Sequence, residues 1–153
     1  MNLILHNIRS VHNVGSIFRT AEAAGVEKIC LTGITAAPVD RFGRPSKALA
    51  KVALGAEKMV AWEQCVNLSK LIQNLKKEGN EIVALEQAST SVDYRKFEQK
   101  RQTAIILGNE VKGLPNTILN KCDAILEIPM RGKKESLNVA VAAGILLFSP
   151  LES

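Results

Sequence analysis

Short apolar runs alternate with segments of helical periodicity along most of the chain. The runs predict strands at residues 2–6, 26–31, 59–61, 81–85, 103–107 and 124–128. Apolar side chains three and four positions apart predict helices at 14–24, 47–54, 67–77, 115–121 and 137–148. The β-branched run at 103–107 is typical of a parallel sheet that is covered on both faces. We therefore predict an α/β fold with a mostly parallel sheet flanked by helices.

The last strand and helix contain the most unusual polar residue. The helix is apolar or small on every side except at Asn138, so we expect it to be buried, with Ser136 as its N-cap. An amide in the first turn of a dry helix needs partners, and open α/β sheets bind ligands where a helix begins beyond a strand end. Two interpretations stay open for this stretch: Ser136 and Asn138 only cap the helix, or they belong to a ligand site.

Three polar insertions follow predicted strands: Asn13 with Arg19, residues 108–113, and residues 128–138. Loops after parallel strands lie at one edge of a sheet, so we expect the second and third to meet there. Gly108 would let a ligand approach the backbone, and the start of the last helix would present amide donors. The glycine-rich nucleotide motifs G-x-G-x-x-G and G-x-x-x-x-G-K-[ST] are missing, as is G-x-S-x-G, so a standard Rossmann, P-loop or hydrolase site is not indicated.

The segment 35–46 is the longest stretch without hydrophobic periodicity, which is typical of a functional or mobile loop. It carries Arg41 and Arg44, and Lys47 follows directly. Such a charge run fits either a solvated face or a contact with a polyanion, and the pattern alone does not separate the two.

Composition narrows the class of protein. The chain has 153 residues, 46% hydrophobic and 23% charged, which suits one domain with a substantial core. The net charge of +5 and the pI near 9.2 are compatible with a polyanionic partner. Three cysteines without CxxC spacing indicate neither a disulfide framework nor a metal site. With no signal peptide and no span of membrane length, we expect a cytoplasmic protein, and 4% aromatics argues against a binder that stacks several bases.

Three segments resemble, in order, the motifs of the SpoU (TrmH-like) RNA 2′-O-ribose methyltransferases of the SPOUT superfamily. They are NVGSIFRT at 13–20, LGNEVKGL at 107–114 and IPMRGKKESLNVA at 128–140. The resemblance implies a C-terminal deep trefoil knot, S-adenosyl-L-methionine bound by the knotted loops, and a homodimer formed through the knotted region. It makes the small residues Ala140, Ala143 and Gly144 candidates for close packing between subunits.

The resemblance also implies a set of cofactor residues. It brings Gly108, Ile128 and Leu137 to the cofactor, largely through backbone groups, with Met130, Ser136 and Leu85 close by. Methyl transfer from a sulfonium releases a neutral leaving group, so no metal is expected.

For catalysis the resemblance puts Arg19 beside the reacting ribose. A guanidinium with a pKa above about 12 is a poor base, so we expect Arg19 to orient the phosphate and stabilise the developing alkoxide. Asn13, Glu110, Ser136 and Asn138 would hold Arg19, the ribose and the cofactor in line. Taken singly, Arg19 also fits an exposed helix arginine, Glu110 a turn residue and Asn13 an N-cap; the three ordered motifs together favour the site.

We expect residues 1–153 to form a single methyltransferase domain, without the separate N-terminal RNA-binding domain of larger relatives. RNA contacts would then fall to cations near the motifs, namely Arg9, Arg41, Arg44, Lys47, Arg131, Lys133 and Lys134. The substrate would be structured RNA, with tRNA and rRNA both open. Two alternative functions remain: a non-catalytic RNA-binding module on the same scaffold, and an RNA base methyltransferase.

Overall fold

A computed structural model of the chain describes residues 1–99 and 101–149. The core of the fold is a seven-stranded sheet in which every pairing is parallel. The strands are β1 Asn2–His6, β2 Lys28–Thr32, β3 Ala61–Cys65, β4 Glu81–Leu85, β5 Val92–Asp93, β6 Thr103–Leu107 and β7 Ala124–Glu127. Their order across the sheet is β3-β2-β1-β6-β4-β7-β5.

Helices cover both faces of the sheet. They are α1 Val11–Ala23, α2 Lys47–Ala53, α3 Leu68–Lys77, α4 Asn116–Leu119 and α5 Val139–Leu147, with 3-10 turns at Ala56–Lys58 and Tyr94–Lys96. Side chains alternate across each strand, so Leu3 and Leu5 pack with α1, α2 and α5, whereas Ile4 packs with α3 and α4 on the other face. All five residues of the central strand β6 are buried, as its continuous apolar sequence predicts.

The chain after β7 takes the path that builds the site. Strands β4 and β6 separate β7 from β1, yet α5 packs against α1, the helix that follows β1. Residues 128–138 therefore cross the carboxyl ends of β4 and β6 before α5 begins. The side-chain amide of Gln87, just after β4, donates a hydrogen bond of 2.7 Å to the backbone oxygen of Glu135 in this crossing segment.

Several predicted boundaries were wrong by a few residues. The third strand covers 61–65 rather than 59–61, because Trp62 and Cys65 continue the ladder with β2. Helix α1 begins at Val11, not Val14, because the Ser10 hydroxyl accepts a hydrogen bond from the backbone of Asn13 and caps the helix. Asn13 is therefore a buried helical residue and not an N-cap.

The prediction for the last helix needs two corrections. Its N-cap is Asn138 rather than Ser136, and its side-chain oxygen accepts hydrogen bonds from the backbone of Ala140 and Val141. The helix is also not buried on all sides: Val141 is 52% exposed and Phe148 is 62% exposed. One side of this almost wholly apolar helix therefore stays uncovered within a protomer.

Within residues 1–99 and 101–149, no helix has the length and apolar character needed to cross a membrane.

Candidate active site

A pocket of about 340 Å³ lies at the carboxyl edge of the sheet, in the size range of small-molecule sites. Three loops build it: residues 85–87 after β4, residues 107–113 after β6, and the crossing segment after β7. Val139 and Ala142 of α5 close one side. The structure brings together all six residues predicted for the cofactor, which are Leu85, Gly108, Ile128, Met130, Ser136 and Leu137.

The walls of this pocket are apolar and acidic. Leucine, isoleucine and methionine side chains line it together with four carboxylates, which belong to Glu86, Glu110, Glu127 and Glu135. No lysine or arginine is among its lining residues within the described part of the chain. In a protein with a net charge of +5, this local excess of negative charge favours a ligand that carries positive charge.

A hydrogen-bonded chain of three side chains links the second motif to α1 and α5. The amide nitrogen of Asn138 donates to the side-chain oxygen of Asn13 over 3.0 Å. The amide nitrogen of Asn13 in turn donates to Glu110 over 3.3 Å. Asn138 therefore does two things at once: its oxygen caps α5, and its nitrogen ties that helix to α1. The structure thus shows Asn138 as the cap of α5, whereas its membership in a ligand site stays a prediction.

Glu110 is held as a carboxylate by its surroundings. Partial burial opposes ionisation, but the backbone N–H groups of Ser10 and Arg9 and the amide of Asn13 all donate to it, and together they lower its pKa. The two backbone donors belong to the start of α1, where a negative charge also suits the helix dipole. Glu110 thus fixes the first turn of α1 against the loop after β6.

Gly108 is required for a different reason from the one expected. A Cβ at this position would lie 2.7 Å from the Leu114 side chain and 2.8 Å from the Gly113 backbone, and both belong to the protein. The glycine therefore permits the turn 109–113 to fold back against the strand end. The carboxylate of Glu86 secures the same turn by accepting a hydrogen bond of 2.9 Å from the backbone of Leu114.

The predicted catalytic residues separate into two groups. Glu110 and Ser136 line the pocket, and the side-chain hydrogen bonds join Asn13 and Asn138 to Glu110. Arg19 lies elsewhere: it is exposed on the outer side of α1, in a shallow depression that also contains His12, Lys51 and Phe148. Within one protomer the structure does not bring Arg19 to the pocket.

All seven cations predicted to contact RNA are exposed. Arg131, Lys133 and Lys134 belong to the crossing segment beside the pocket. Arg9 lines a second, wider depression next to the pocket, and Glu110 and Asn109 belong to both. Arg41 and Arg44 lie in the loop before α2, where their guanidinium carbons are 4.8 and 5.0 Å from the centroid of the exposed Phe42 ring. Lys47 is the first residue of α2.

Sequence reasoning missed several pocket residues, among them Glu86, Gln87, Glu127 and Glu135. Position is the signal that identifies Glu86 and Gln87, since they directly follow a buried parallel strand, at the edge where ligands bind. Glu127 ends β7 and carries the same signal. Glu135 belongs to the insertion 128–138 that was expected at this edge, although it was not singled out as a site residue.

A parallel α/β sheet with a ligand pocket at its carboxyl edge, partly built by a crossing C-terminal segment, is the class of protein that the geometry defines. Residues 1–148 match the model of the SpoU rRNA Methylase family, and the chain belongs to this family. This agrees with the resemblance read from the three motifs.

Relatives and solved structures extend this assignment. The chain is 36% identical over 146 residues to a Staphylococcus aureus protein assigned to the TrmH family of tRNA/rRNA methyltransferases, covering 95% of this chain and 56% of that protein. A Bacillus subtilis protein with the same family assignment is 34% identical over equal coverage. The chain thus spans little more than half the length of these curated relatives.

Two solved structures share the fold. An AdoMet-bound rRNA methyltransferase from Sinorhizobium meliloti is 32% identical, with a TM-score of 0.86 over 96% of this chain and 54% of that one. A TrmH/SpoU tRNA modifying enzyme from A. aeolicus is 29% identical, with a TM-score of 0.82 over 95% of this chain and 71% of that one. The likeness confirms the predicted fold class, the knotted α/β fold of the SPOUT superfamily.

Proposed function

We propose that this domain transfers a methyl group from S-adenosyl-L-methionine to a ribose 2′-hydroxyl of structured RNA, either tRNA or rRNA, and that it acts as a homodimer. The observation that carries the proposal is the convergence of all six predicted cofactor residues on one acidic pocket. Family membership and the AdoMet-bound relative from S. meliloti support the same assignment.

The residues of the pocket fit this cofactor. The adenine ring needs apolar walls and backbone groups, which Leu85, Ile128 and Leu137 offer. A sulfonium carries a positive charge, and the four glutamates around the pocket favour it over a neutral or anionic ligand. A nucleotide cofactor with phosphates would meet the same carboxylates without a single basic partner in the lining described, so the charge of the pocket argues against one.

The chain's own residues would position the reaction. When bound, the cofactor supplies a methyl group on a positively charged sulfur, which accepts electrons as the new bond to oxygen forms. Glu110, Asn13 and Asn138 keep the loop after β6, α1 and α5 in register, so the pocket is organised before the substrate arrives. Asn138 and Ser136 lie where the crossing segment enters α5, beside the pocket. In this proposal their groups orient the ribose.

Arg19 completes the site from a second subunit in this proposal. It lies outside the pocket of its own protomer, on a surface shared by α1 and α5. A partner packed on that surface would bring its own Arg19 toward this protomer's motif residues. The guanidinium then binds the phosphate next to the reacting ribose and stabilises negative charge as the 2′-hydroxyl loses its proton.

The uncovered side of α5 supports the homodimer. Val141 and Phe148 are seven positions apart, so both face the same way, and each is more than half exposed. His12, Ser16 and Thr20 of α1 adjoin Val141 and Gly144 in a shallow depression of this surface. Gly144 has room for close approach, because an added Cβ there would meet only Thr20, at 3.6 Å. Ala143 is 1% exposed inside the protomer, so the prediction that it packs between subunits was wrong.

The RNA would lie along the exposed cations that surround the pocket. Arg131, Lys133 and Lys134 flank it on one side, and Arg9 flanks it on the other. Phosphate contacts of this kind orient a folded RNA without reading its bases, which suits a protein with few aromatic residues. The prediction of one domain without a separate RNA-binding domain stays a prediction.

Three measurements test the function. Titration with S-adenosyl-L-methionine should show one site per chain, and a protein that ignores this ligand would instead fit a non-catalytic RNA-binding module. Mapping 2′-O-methylation across cellular tRNA and rRNA, with and without the protein, should reveal a position that loses its methyl group. Digestion of that RNA to nucleosides then separates the classes: a methylated base in place of a methylated ribose would overturn the proposed reaction.

A further inference from the structure

Three side chains with metal-binding atoms meet on one face of the sheet, far from the candidate active site. Cys30 of β2 lies opposite Glu63 of β3 in the parallel ladder, and Cys65 follows two residues later on the same face. The two sulfurs and a carboxylate oxygen all lie within 4.8 Å of one another. The Cys30 sulfur is 3.6 Å from the Glu63 oxygen.

These spacings fit a tetrahedral ion. Zinc–sulfur bonds of about 2.3 Å and zinc–oxygen bonds of about 2.0 Å place neighbouring ligand atoms roughly 3.5 to 3.8 Å apart. The observed sulfur–oxygen distance already has this value, and the remaining separations need only small side-chain rotations. Both strands are rigid elements of the sheet, so the backbone positions of the three ligands are set without a metal.

A lysine hydrogen-bonds the carboxylate of this cluster, and one side of the cluster is open to solvent. Lys28 donates to Glu63 over 2.8 Å, and this hydrogen bond, outweighing burial, lowers the pKa of that carboxyl. Hydrogen bonds of this kind orient metal-binding carboxylates in proteins. Cys30 is 2% exposed, whereas the Glu63 side chain is 44% exposed at the sheet edge, so an ion has an entry path and water has access to a fourth position.

The local charge also matches a divalent cation. Two thiolates, one carboxylate and the Lys28 ammonium sum to about two negative charges, which a divalent ion neutralises.

We propose that Cys30, Glu63 and Cys65 bind one thiophilic divalent ion of the zinc class, with water as the fourth ligand. Binding forms two metal–thiolate bonds and one metal–carboxylate bond, and it releases two protons from the thiols to solvent. The ion cross-links the edge strand β3 to β2, because its ligands come from both. The site is structural and separate from the methyl-transfer pocket. Sequence spacing concealed it, since the ligands at positions 30, 63 and 65 form no short metal-binding motif.

Cadmium titration of the full-length protein, kept reduced with a phosphine, tests the site directly. We expect ultraviolet charge-transfer absorption from two cadmium–thiolate bonds, saturating at one ion per chain. Zinc should displace the cadmium and raise the melting temperature of the protein. Absence of the charge-transfer absorption, or saturation only at several ions per chain, would overturn the proposal.

The third cysteine provides a matched control. Cys122 follows α4, where its sulfur donates to the backbone oxygen of Ile118, and it is not among the three grouped ligands, so Cys122→Ser should leave cadmium absorption and zinc affinity unchanged. Cys65→Ser should remove half of the cadmium–thiolate absorption and weaken zinc binding by about 100-fold. Lys28→Gln should weaken zinc binding by about 10-fold, because Glu63 loses the hydrogen bond from Lys28. Cys65 is partly exposed, so its variant should fold, and full zinc affinity in that variant would contradict the site.

Discussion

The pocket at the carboxyl edge of the sheet is organised within one protomer, whereas the outer face of α1 and α5 is left uncovered. Loops, backbone hydrogen bonds and the chain Glu110–Asn13–Asn138 organise the pocket within one protomer. The outer face has Arg19, exposed apolar side chains and shallow depressions, and only the Asn13–Asn138 pair of this hydrogen-bonded chain reaches it. The cofactor half of the proposed reaction is thus built by one chain, whereas the ribose half needs another surface. Predictions that separate the two halves test this division.

The largest effect should come from Arg19→Ala. Loss of a guanidinium that stabilises developing negative charge should reduce methylation turnover by about 100-fold or more. Cofactor affinity should stay within about twofold, because Arg19 lies outside the pocket. Single-turnover kinetics and calorimetric titration measure the two quantities. Lys77→Ala, which removes an exposed cation on α3, serves as the control, and equal losses in both variants would place Arg19 outside catalysis.

Val141→Glu should separate the subunits. An unpaired charge buried between two subunits costs about 3 kcal/mol or more, which weakens self-association by about 100-fold. Sedimentation should then show monomers, and turnover should fall with dimer content while cofactor binding persists. Val66→Glu, at a fully exposed position between β3 and α3, is the matched control. A Val141→Glu protein that still sediments as the wild type does would contradict this interface.

Glu127→Gln tests whether the charge of the pocket selects a cation. Glu127 lines the pocket, where it accepts a hydrogen bond from Ser91. Loss of its charge should weaken the binding of S-adenosyl-L-methionine by about fivefold, or roughly 1 kcal/mol. The affinity for the demethylated product, whose sulfur is uncharged, should stay nearly unchanged. Competition titrations at low salt measure both affinities, with the exposed helix residue Glu78→Gln as control. Equal weakening of both ligands would indicate lost packing rather than lost charge.

Glu110→Gln should have the smallest effect, on stability. The lowered pKa of Glu110 means that its carboxylate stabilises the fold fully above its unfolded pKa of 4.5 and loses that contribution as the pH falls through the lower folded value. Because this carboxylate is partly solvated, we expect the variant to lose only about 1 kcal/mol at neutral pH. Urea unfolding should show this difference shrinking below pH 4.5. A difference that persists unchanged in acid would contradict the role of the charge, and Glu22→Gln on exposed α1 is the control.

Local patterns predicted the strands that are short apolar runs, β6 most clearly, but they missed β5 and misplaced β3, whose sequences are not apolar runs. They predicted the position of pocket residues such as Gly108 because parallel strands end at one edge. They failed where tertiary contacts decide. The cap of α5 moved from Ser136 to Asn138, because Asn138 alone satisfies both the helix start and Asn13.

The proposed zinc ligands and Arg19 show the same limit of local sequence patterns. Cys30 and Cys65 are separated by a helix and a turn in sequence, and only the pairing of β2 with β3 makes them neighbours. Arg19 has the spacing of a motif residue, but the packing of α1 decides whether its side chain faces the pocket or the outer surface.

The sequence by itself determined the alternating α/β architecture, the family and part of the pocket lining, because periodicity and motif order are local properties of the chain. The tertiary structure alone decided that Glu86 and Glu135 join the pocket, that one side of α5 stays uncovered, and that Arg19 faces outward. These features depend on the crossing of residues 128–138 over the ends of β4 and β6. No local preference encodes such a crossing, because it is stabilised only by contacts between residues far apart in sequence.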